Sequence, residues 1–267
     1  FAMANHVGVI GAGVMGEALI AALISSGVSP ELISFAEKRK ERADELVSKY
    51  SIINKELAEV VAGSDVLLLV VKPQDMDIAL LDIAPNLKPD TLIMSFAAGK
   101  TIGYISGTLN TENPVVRVMP NTPTLVGKGA AGYSLGEGVT DHQKKFVVDF
   151  LNAAGISVEV KEELQDAVTA TSGSGPAYFF AFVESMVKGA VDLGLSEEVA
   201  TQLTVQTLVG AAELLQSSGK SATTLRENVT SPNGTTFAAL QSFAASDLEQ
   251  IVAKAMKAAR DRSIELS

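Results

Sequence analysis

The segment Val7-Gly8-Val9-Ile10 runs directly into Gly11-Ala12-Gly13-Val14-Met15-Gly16, and no other feature restricts the fold as much. Its short apolar, β-branched run predicts a buried parallel strand. Residues 17–26 predict a helix with Ala18, Leu19, Ala22 and Leu23 on its apolar side, and Gly27 falls where a C-terminal cap belongs. Strand, G-x-G-x-x-G and helix in that order make a dinucleotide-binding turn. Gly11 permits the tight turn, Gly13 lets a pyrophosphate approach the backbone, and Gly16 lets the helix pack against the strand. The free N–H groups of the helix start then receive the phosphates. An ordinary βα turn is the alternative, and the flanking strand and helix weigh against it.

The pattern continues in βα units. Strands are predicted at 32–35, 65–71, 91–96 and 114–118, with 130–135 and 156–160 as further ones, and helices at 38–49 and 141–153. Strands alternating with helical stretches imply a mostly parallel, doubly wound sheet. Ligands of such sheets sit at the C-terminal ends of the strands. Three segments leave strands there: Lys72-Pro73-Gln74, directly after the candidate contacts Val70 and Val71 that end their strand, Ala97-Ala98-Gly99, and Met119-Pro120-Asn121-Thr122-Pro123. Each alone reads as a plain turn. Together, at the edge that carries the glycine turn, they read as walls of a cofactor site. Ile10, the turn residues Gly11 to Gly16, Asn121 and Thr122 are candidate contacts on the same grounds.

Ala36-Glu37-Lys38-Arg39 should meet the adenosine ribose. A carboxylate there accepts the 2′-hydroxyl of NAD, and a cation accommodates the 2′-phosphate of NADP. Two adjacent cations outweigh one carboxylate that can rotate away, so Lys38 and Arg39 favour NADPH, with NADH as the alternative. A solvated helix start is the competing explanation.

Among the 267 residues 47% are apolar and 19% charged, which is globular composition. The net charge of −10 argues against nucleic acid or an anionic membrane surface as the partner. The chain has no cysteine and only His6 and His142, so neither a metal site nor a Ser-His-Asp triad is expected. No apolar run is long enough to span a membrane and no secretory signal is seen, so a cytoplasmic protein is expected. Phe1-Ala2 before Met3 reads as a vector-derived extension.

From about Glu162 the β pattern stops. Helices are predicted at 176–193, with Pro176 at its first position, and from a Ser196 cap to Ser218, closed by Gly219. A shorter one covers 222–228, and 235 onward is mostly helical. Val183, Val187 and Val191 widen the apolar stripe of the first, as Leu203, Val205 and Val209 do on the second. Helices apolar nearly all round want burial, which predicts an extensive homo-oligomeric interface; a larger single-chain core is the alternative. The expected domains are a dinucleotide-binding one over 1–161 and a helical one for substrate binding and oligomerisation over 162–267. Thr230-Ser231-Pro232-Asn233-Gly234-Thr235-Thr236 forces a turn and opens a helix, so it offers N–H groups and hydroxyls to a carboxylate or phosphate. Simple capping by a threonine is the other explanation. Thr171-Ser172-Gly173-Ser174-Gly175-Pro176 is a second loop of the same character.

Taken together, these stretches resemble the pyrroline-5-carboxylate reductases over essentially the whole chain. The pieces that carry the resemblance are the glycine turn, Val71-Lys72-Pro73, Ala97-Ala98-Gly99, Arg117 to Pro123, Asp166-Ala167-Val168-Thr169 with Ser172 to Tyr178, and Val229 to Pro232 with Gly234-Thr235-Thr236. The resemblance implies a Rossmann-type N-terminal sheet followed by an all-α C-terminal dimerisation domain. It implies reduction of Δ1-pyrroline-5-carboxylate to L-proline by hydride from NAD(P)H, the last step of proline biosynthesis. It also implies an intertwined homodimer, assembled further into rings of dimers such as a decamer. The substrate then lies between the cofactor and the loop matching Ser231 to Thr236, which a neighbouring subunit helps to supply. The Thr236 hydroxyl takes the catalytic role at the ring nitrogen; Ser231, Gly234 and Thr235 hold the carboxylate, with Asn228 and Glu162 in the same pocket.

Two positions depart from the family. Asn233 stands where Gly is usual, and Asn also tolerates φ > 0. Glu37-Lys38-Arg39 stands where small polar residues are common. Two rival functions are a β-hydroxyacid dehydrogenase and a non-catalytic nucleotide-sensing module. The first needs a lysine on the first long helix of the second half, where Lys188 lies several turns from the Ser-Gly-rich loop. The second has no use for the loop Ser231 to Thr236.

Overall fold

The computed structural model describes residues 5–267, and the Phe1-Ala2 extension lies outside them. Eight strands form one sheet: β1 (Val7–Ile10), β2 (Ile33–Ala36), β3 (Ile53–Asn54), β4 (Val66–Leu69), β5 (Leu92–Ser95), β6 (Val115–Met119), β7 (Gly129–Leu135) and β8 (Gly155–Glu159). Their order is β3-β2-β1-β4-β5-β6-β7-β8. Only the β6–β7 pair is antiparallel. Strands β4 and β5 are shorter than the apolar runs that predict them, because the ends of each run become connections. Val70 and Val71 leave the sheet, and Pro30 sets a 3-10 turn over Pro30–Leu32. The two-residue β3 was not expected; it pairs with Ser34 and Phe35.

Six helices connect these strands: α1 (Val14–Ser25), α2 (Lys40–Tyr50), α3 (Leu57–Gly63), α4 (Met76–Ile83), α5 (Ile102–Leu109) and α6 (Asp141–Asn152). Helix α1 begins at Val14 rather than at residue 17, so Val14, Met15 and Gly16 form its first turn. Helix α2 begins at Lys40 rather than 38, because Arg39 is extended and serves as its N-cap. Successive residues of a strand face opposite sides. Leu68 accordingly joins Val9, Phe35, Met94 and Phe150 on one face. Leu67 and Leu69 join Ile10, Met76 and Ile93 on the other. Every strand residue of β4 is buried, as expected of a parallel strand covered on both faces.

After β8, helix α7 (Gln165–Val168) passes into a π-helical turn over Thr169–Gly173. The chain divides into two units, one ending at Ser174 and rejoined by Ala259–Ser267, the other Gly175–Ala258. In the first unit, Ser263 Oγ donates to Asp166 Oδ1 at 2.6 Å, which ties the last helical turn down. The remaining helices are α8 (Gly175–Asp192), α9 (Glu197–Ser218), α10 (Ala222–Asn228), α11 (Thr235–Ala245) and α12 (Leu248–Glu265). Pro176 is the second residue of α8, not its first, because Gly175 already has helical backbone. The Ser196 side chain accepts from the Val199 N–H, and Gly219 ends α9 with φ 67°. Only Gly175, Ala200 and Thr204 are buried in the second unit.

Candidate active site

Strand order reverses at the β1–β4 pair, the usual place for a ligand crevice. There the glycine turn is built by steric necessity. Gly11 has φ +105°, and a Cβ on it would enter the Val70 carbonyl. A Cβ on Gly16 would enter the Gly11 carbonyl, so this glycine closes the turn on itself, where close packing of helix on strand was expected. Around Gly13 nothing lies within 4 Å of a built Cβ. Gly13 is the N-cap of α1 and supplies no side-chain bond, so the first-turn N–H groups are left to an outside acceptor. Open space beside Gly13 and unclaimed donors fit a pyrophosphate. Ile10 and Ala12 are buried beneath the turn, Met15 is partly covered and Val14 is exposed.

The predicted walls are in register with this turn. The Val70 N–H donates to the Ile10 carbonyl at 2.8 Å, and the Phe96 N–H to that of Leu69 at 3.0 Å. Val71 and Lys72 lead into a 3-10 turn that starts at Pro73. Ala97 is buried, Ala98 partly so, and Gly99 has φ +75°. Asn121 is committed to the fold, since its Oδ1 accepts from the Ala130 N–H at 2.9 Å; Thr122 opens the 3-10 turn after it.

At the end of β2 lies a cleft of about 790 Å³ that Ile10, Ala36, Glu37, Lys38, Asn54 and Val71 help to line. Glu37 does not swing away as expected. Its carboxylate accepts from the Arg39 N–H at 2.8 Å, from Nε at 3.3 Å and from the terminal guanidinium nitrogen at 3.0 Å. That guanidinium holds the Glu37 carboxyl below its ordinary pKa. Lys38 reaches the cleft, while Arg39 is folded back onto Glu37. Asn54 brackets the Glu37 backbone, accepting from its N–H at 3.1 Å and donating to its carbonyl at 3.4 Å.

Arg42 was missed by sequence reasoning. Its Nε donates to the Ala12 carbonyl at 3.0 Å, and a terminal nitrogen reaches the Gly13 carbonyl at 3.4 Å and Glu17 Oε2 at 2.8 Å. Glu17 also receives Lys49 Nζ at 2.8 Å and the Tyr50 hydroxyl at 2.9 Å. These donors, Lys49 first, pull the Glu17 carboxyl down to about 2. The available signal was a cation one helical turn before buried Leu46, hence on the covered stripe of α2.

Glu162 also belongs to the sheet unit. Its Oε1 accepts from the Ile102 N–H at 2.9 Å, at the start of α5, and from buried Arg117 on β6 at 3.4 Å. Nearby, Gln165 Nε2 donates to Ser134 Oγ at 2.9 Å.

In the helical unit, the loop after α10 makes its own constellation. Asn228 ends α10, and the Thr230 hydroxyl donates to the Arg226 carbonyl at 2.6 Å. The Gly234 N–H closes a turn on the Ser231 carbonyl at 3.1 Å. Asn233 has φ 57°, as its substitution for glycine required. A Cβ on Gly234 would collide with Ser231 Oγ, so the glycine keeps that hydroxyl against the helix start. Gly234 is the N-cap of α11 and supplies no side-chain bond, so the Thr235 and Thr236 N–H groups have no intrahelical acceptor.

Comparison with known proteins matches both halves. Residues 162–266 match the family model for pyrroline-5-carboxylate reductase dimerisation, and residues 6–99 match one described as NADP oxidoreductase, coenzyme F420-dependent. Pyrroline-5-carboxylate reductase of Pseudomonas aeruginosa is 43% identical, over 98% of this chain and 97% of its own. That of Corynebacterium melassecola is 38% identical over 97% and 98%. Among solved structures, a pyrroline-5-carboxylate reductase from Coxiella burnetii superposes with TM-score 0.93 at 32% identity, covering 99% of both chains. The Plasmodium falciparum enzyme, solved with NADP bound, has TM-score 0.86 at 32% identity and covers 98% of each. The helical half is thus a dimerisation region that pairs two copies of the chain. Identity of this extent over the full length, on a sheet with a dinucleotide turn, settles the family: the chain belongs to the pyrroline-5-carboxylate reductases, NAD(P)H-dependent oxidoreductases of proline biosynthesis.

Proposed function

We propose that this chain reduces Δ1-pyrroline-5-carboxylate to L-proline with NADPH, the dinucleotide seated on Gly11 to Gly16 and the substrate anion on Ser231 to Thr236. When bound, NADPH would supply hydride to the imine carbon, and the π pair of the C=N bond would take a proton from water to become the new N–H bond. The Thr236 hydroxyl hydrogen-bonds the ring nitrogen as that proton is taken up. The Thr235 and Thr236 N–H groups and the Ser231 hydroxyl hold the carboxylate, with Gly234 allowing its approach and Asn228 and Glu162 bordering the pocket. Val70, Val71, Lys72, Pro73, Ala97, Ala98, Gly99, Asn121 and Thr122 wall the cofactor; Lys38 answers its 2′-phosphate from the cleft, and Arg39 does so on leaving Glu37. Catalysis here is orientation and electrostatic placement, which needs neither histidine nor cysteine. Division into domains 1–161 and 162–267, assembly of dimers into a decamer and a cytoplasmic location complete the reading.

One observation carries it: with Gly234 as its N-cap, after the left-handed Asn233, α11 starts without a side-chain cap and is free to accept a carboxylate. The test is Thr236→Ala, assayed for NADPH oxidation with the cyclic imine and with 3-hydroxy acids in the reverse direction. Loss of one preorganised hydrogen bond should raise the barrier by about 2–4 kcal/mol with little change in NADPH affinity. Turnover equal to the parent enzyme removes Thr236 from its role.

A further inference from the structure

We propose that Arg42 is a positioning residue for the cofactor: it holds the Ala12 and Gly13 carbonyls so that the next two N–H groups aim at the pyrophosphate. In a trans peptide the C=O and the following N–H point opposite ways. Arg42 bonds the Ala12 carbonyl at 3.0 Å and the Gly13 carbonyl at 3.4 Å, from the α2 side. The Gly13 and Val14 N–H groups therefore face away from Arg42, on the open side of Gly13. The guanidinium is itself held. Glu17 Oε2 takes it at 2.8 Å and Glu45 at 3.0 Å, and its side chain is only 17% exposed. The Gly13 carbonyl is also held by the Glu17 N–H at 3.0 Å, so the clamp acts chiefly on the Ala12 carbonyl, whose glycine-flanked backbone has many conformations of similar energy before ligand arrives. Arg42 acts through the backbone and touches no cofactor atom, which separates it from Lys38 and Arg39.

The inference rests on the glycine turn being the cofactor seat, and the test separates the two. NADPH binding is titrated by fluorescence for the parent enzyme, Arg42→Met, Arg42→Lys and Gly13→Val, with adenosine 2′-monophosphate as a probe that lacks the pyrophosphate. Arg42→Met should weaken NADPH about tenfold, because a hydrogen bond from a charged group is lost, and Arg42→Lys less, because one donor remains. The 2′-monophosphate should bind as before, and kcat at saturating NADPH should stay within about twofold. Equal weakening of both ligands would mean general damage and overturn the proposal, as would unchanged NADPH binding. Should Arg42→Met fail to fold, Arg42→Lys carries the same comparison with a smaller expected loss. Gly13→Val fills the open space beside the turn and should abolish NADPH binding. If it does not, the cofactor seat itself is wrong; if it does and Arg42→Met has no effect, only the clamp falls.

Discussion

Leu67, Leu68 and Leu69 of β4 are fully buried, whereas Leu193, Leu203 and Val209 of the helical unit stand 89%, 57% and 54% exposed. Both regions are rich in aliphatic residues, so composition does not separate them. The sheet unit completes its interior within one chain, with helices on both faces of a parallel sheet. The helical unit presents apolar side chains on faces its own chain does not cover, an arrangement stable only when a second copy supplies the missing surface. The first unit is therefore expected to keep its stability at any protein concentration, and the second to gain stability as two copies pair.

The strongest way to break this contrast is to place charge in the helical unit. Leu203→Asp with Val209→Asp should leave monomers, since burying an unpaired carboxylate costs roughly several kcal/mol. Light scattering would show the change in mass, and turnover should vanish while NADPH still binds. A dimeric, active double variant would show that those faces stay open to solvent. Leu68→Ala should cost about 2–5 kcal/mol by leaving a cavity, with a loss that does not change with protein concentration in denaturant titrations. A concentration-dependent loss there would erase the distinction between the units. Lys38→Ala with Arg39→Ala should weaken NADPH by about 1 kcal/mol and NADH less, in dimer and dissociated chain alike. Equal losses for both cofactors would take these cations away from the 2′-phosphate.

A further expected effect is confined to acid. The folded pKa of Glu17 is depressed from 4.5 to about 2. Its contribution is therefore full above about 4.5 and is lost as pH falls toward about 2. Glu17→Gln should flatten stability across that window and leave neutral-pH dimerisation untouched. An unchanged acid limb in calorimetric scans from pH 5 to 2 would discount the Lys49–Glu17–Arg42 network.

Reading from sequence succeeded where a residue's neighbours in the chain determine its surroundings. The β1 strand and its glycine turn, the Ser196 cap, the Gly219 stop and the left-handed Asn233 all follow from local chemistry. It failed where a partner far along the chain decides. β3 exists because Ile53 and Asn54 meet β2, and no two-residue apolar pattern announces that. The short helices α3, α4 and α5 carry too few residues for a clear period. Glu37 was expected to be mobile because nothing in Glu-Lys-Arg shows that the arginine will fold back on it. Arg42 reaches the glycine turn across thirty residues, and only its place beside Leu46 hinted at coverage.

With only Gly175, Ala200 and Thr204 shielded between Gly175 and Ala258, a freshly translated copy exposes most of that stretch. Until it meets its twin it offers hydrophobic helices to chaperones and proteases alike. The cell would then degrade solitary copies while sparing pairs, and the amount of enzyme would follow synthesis more steeply than in proportion.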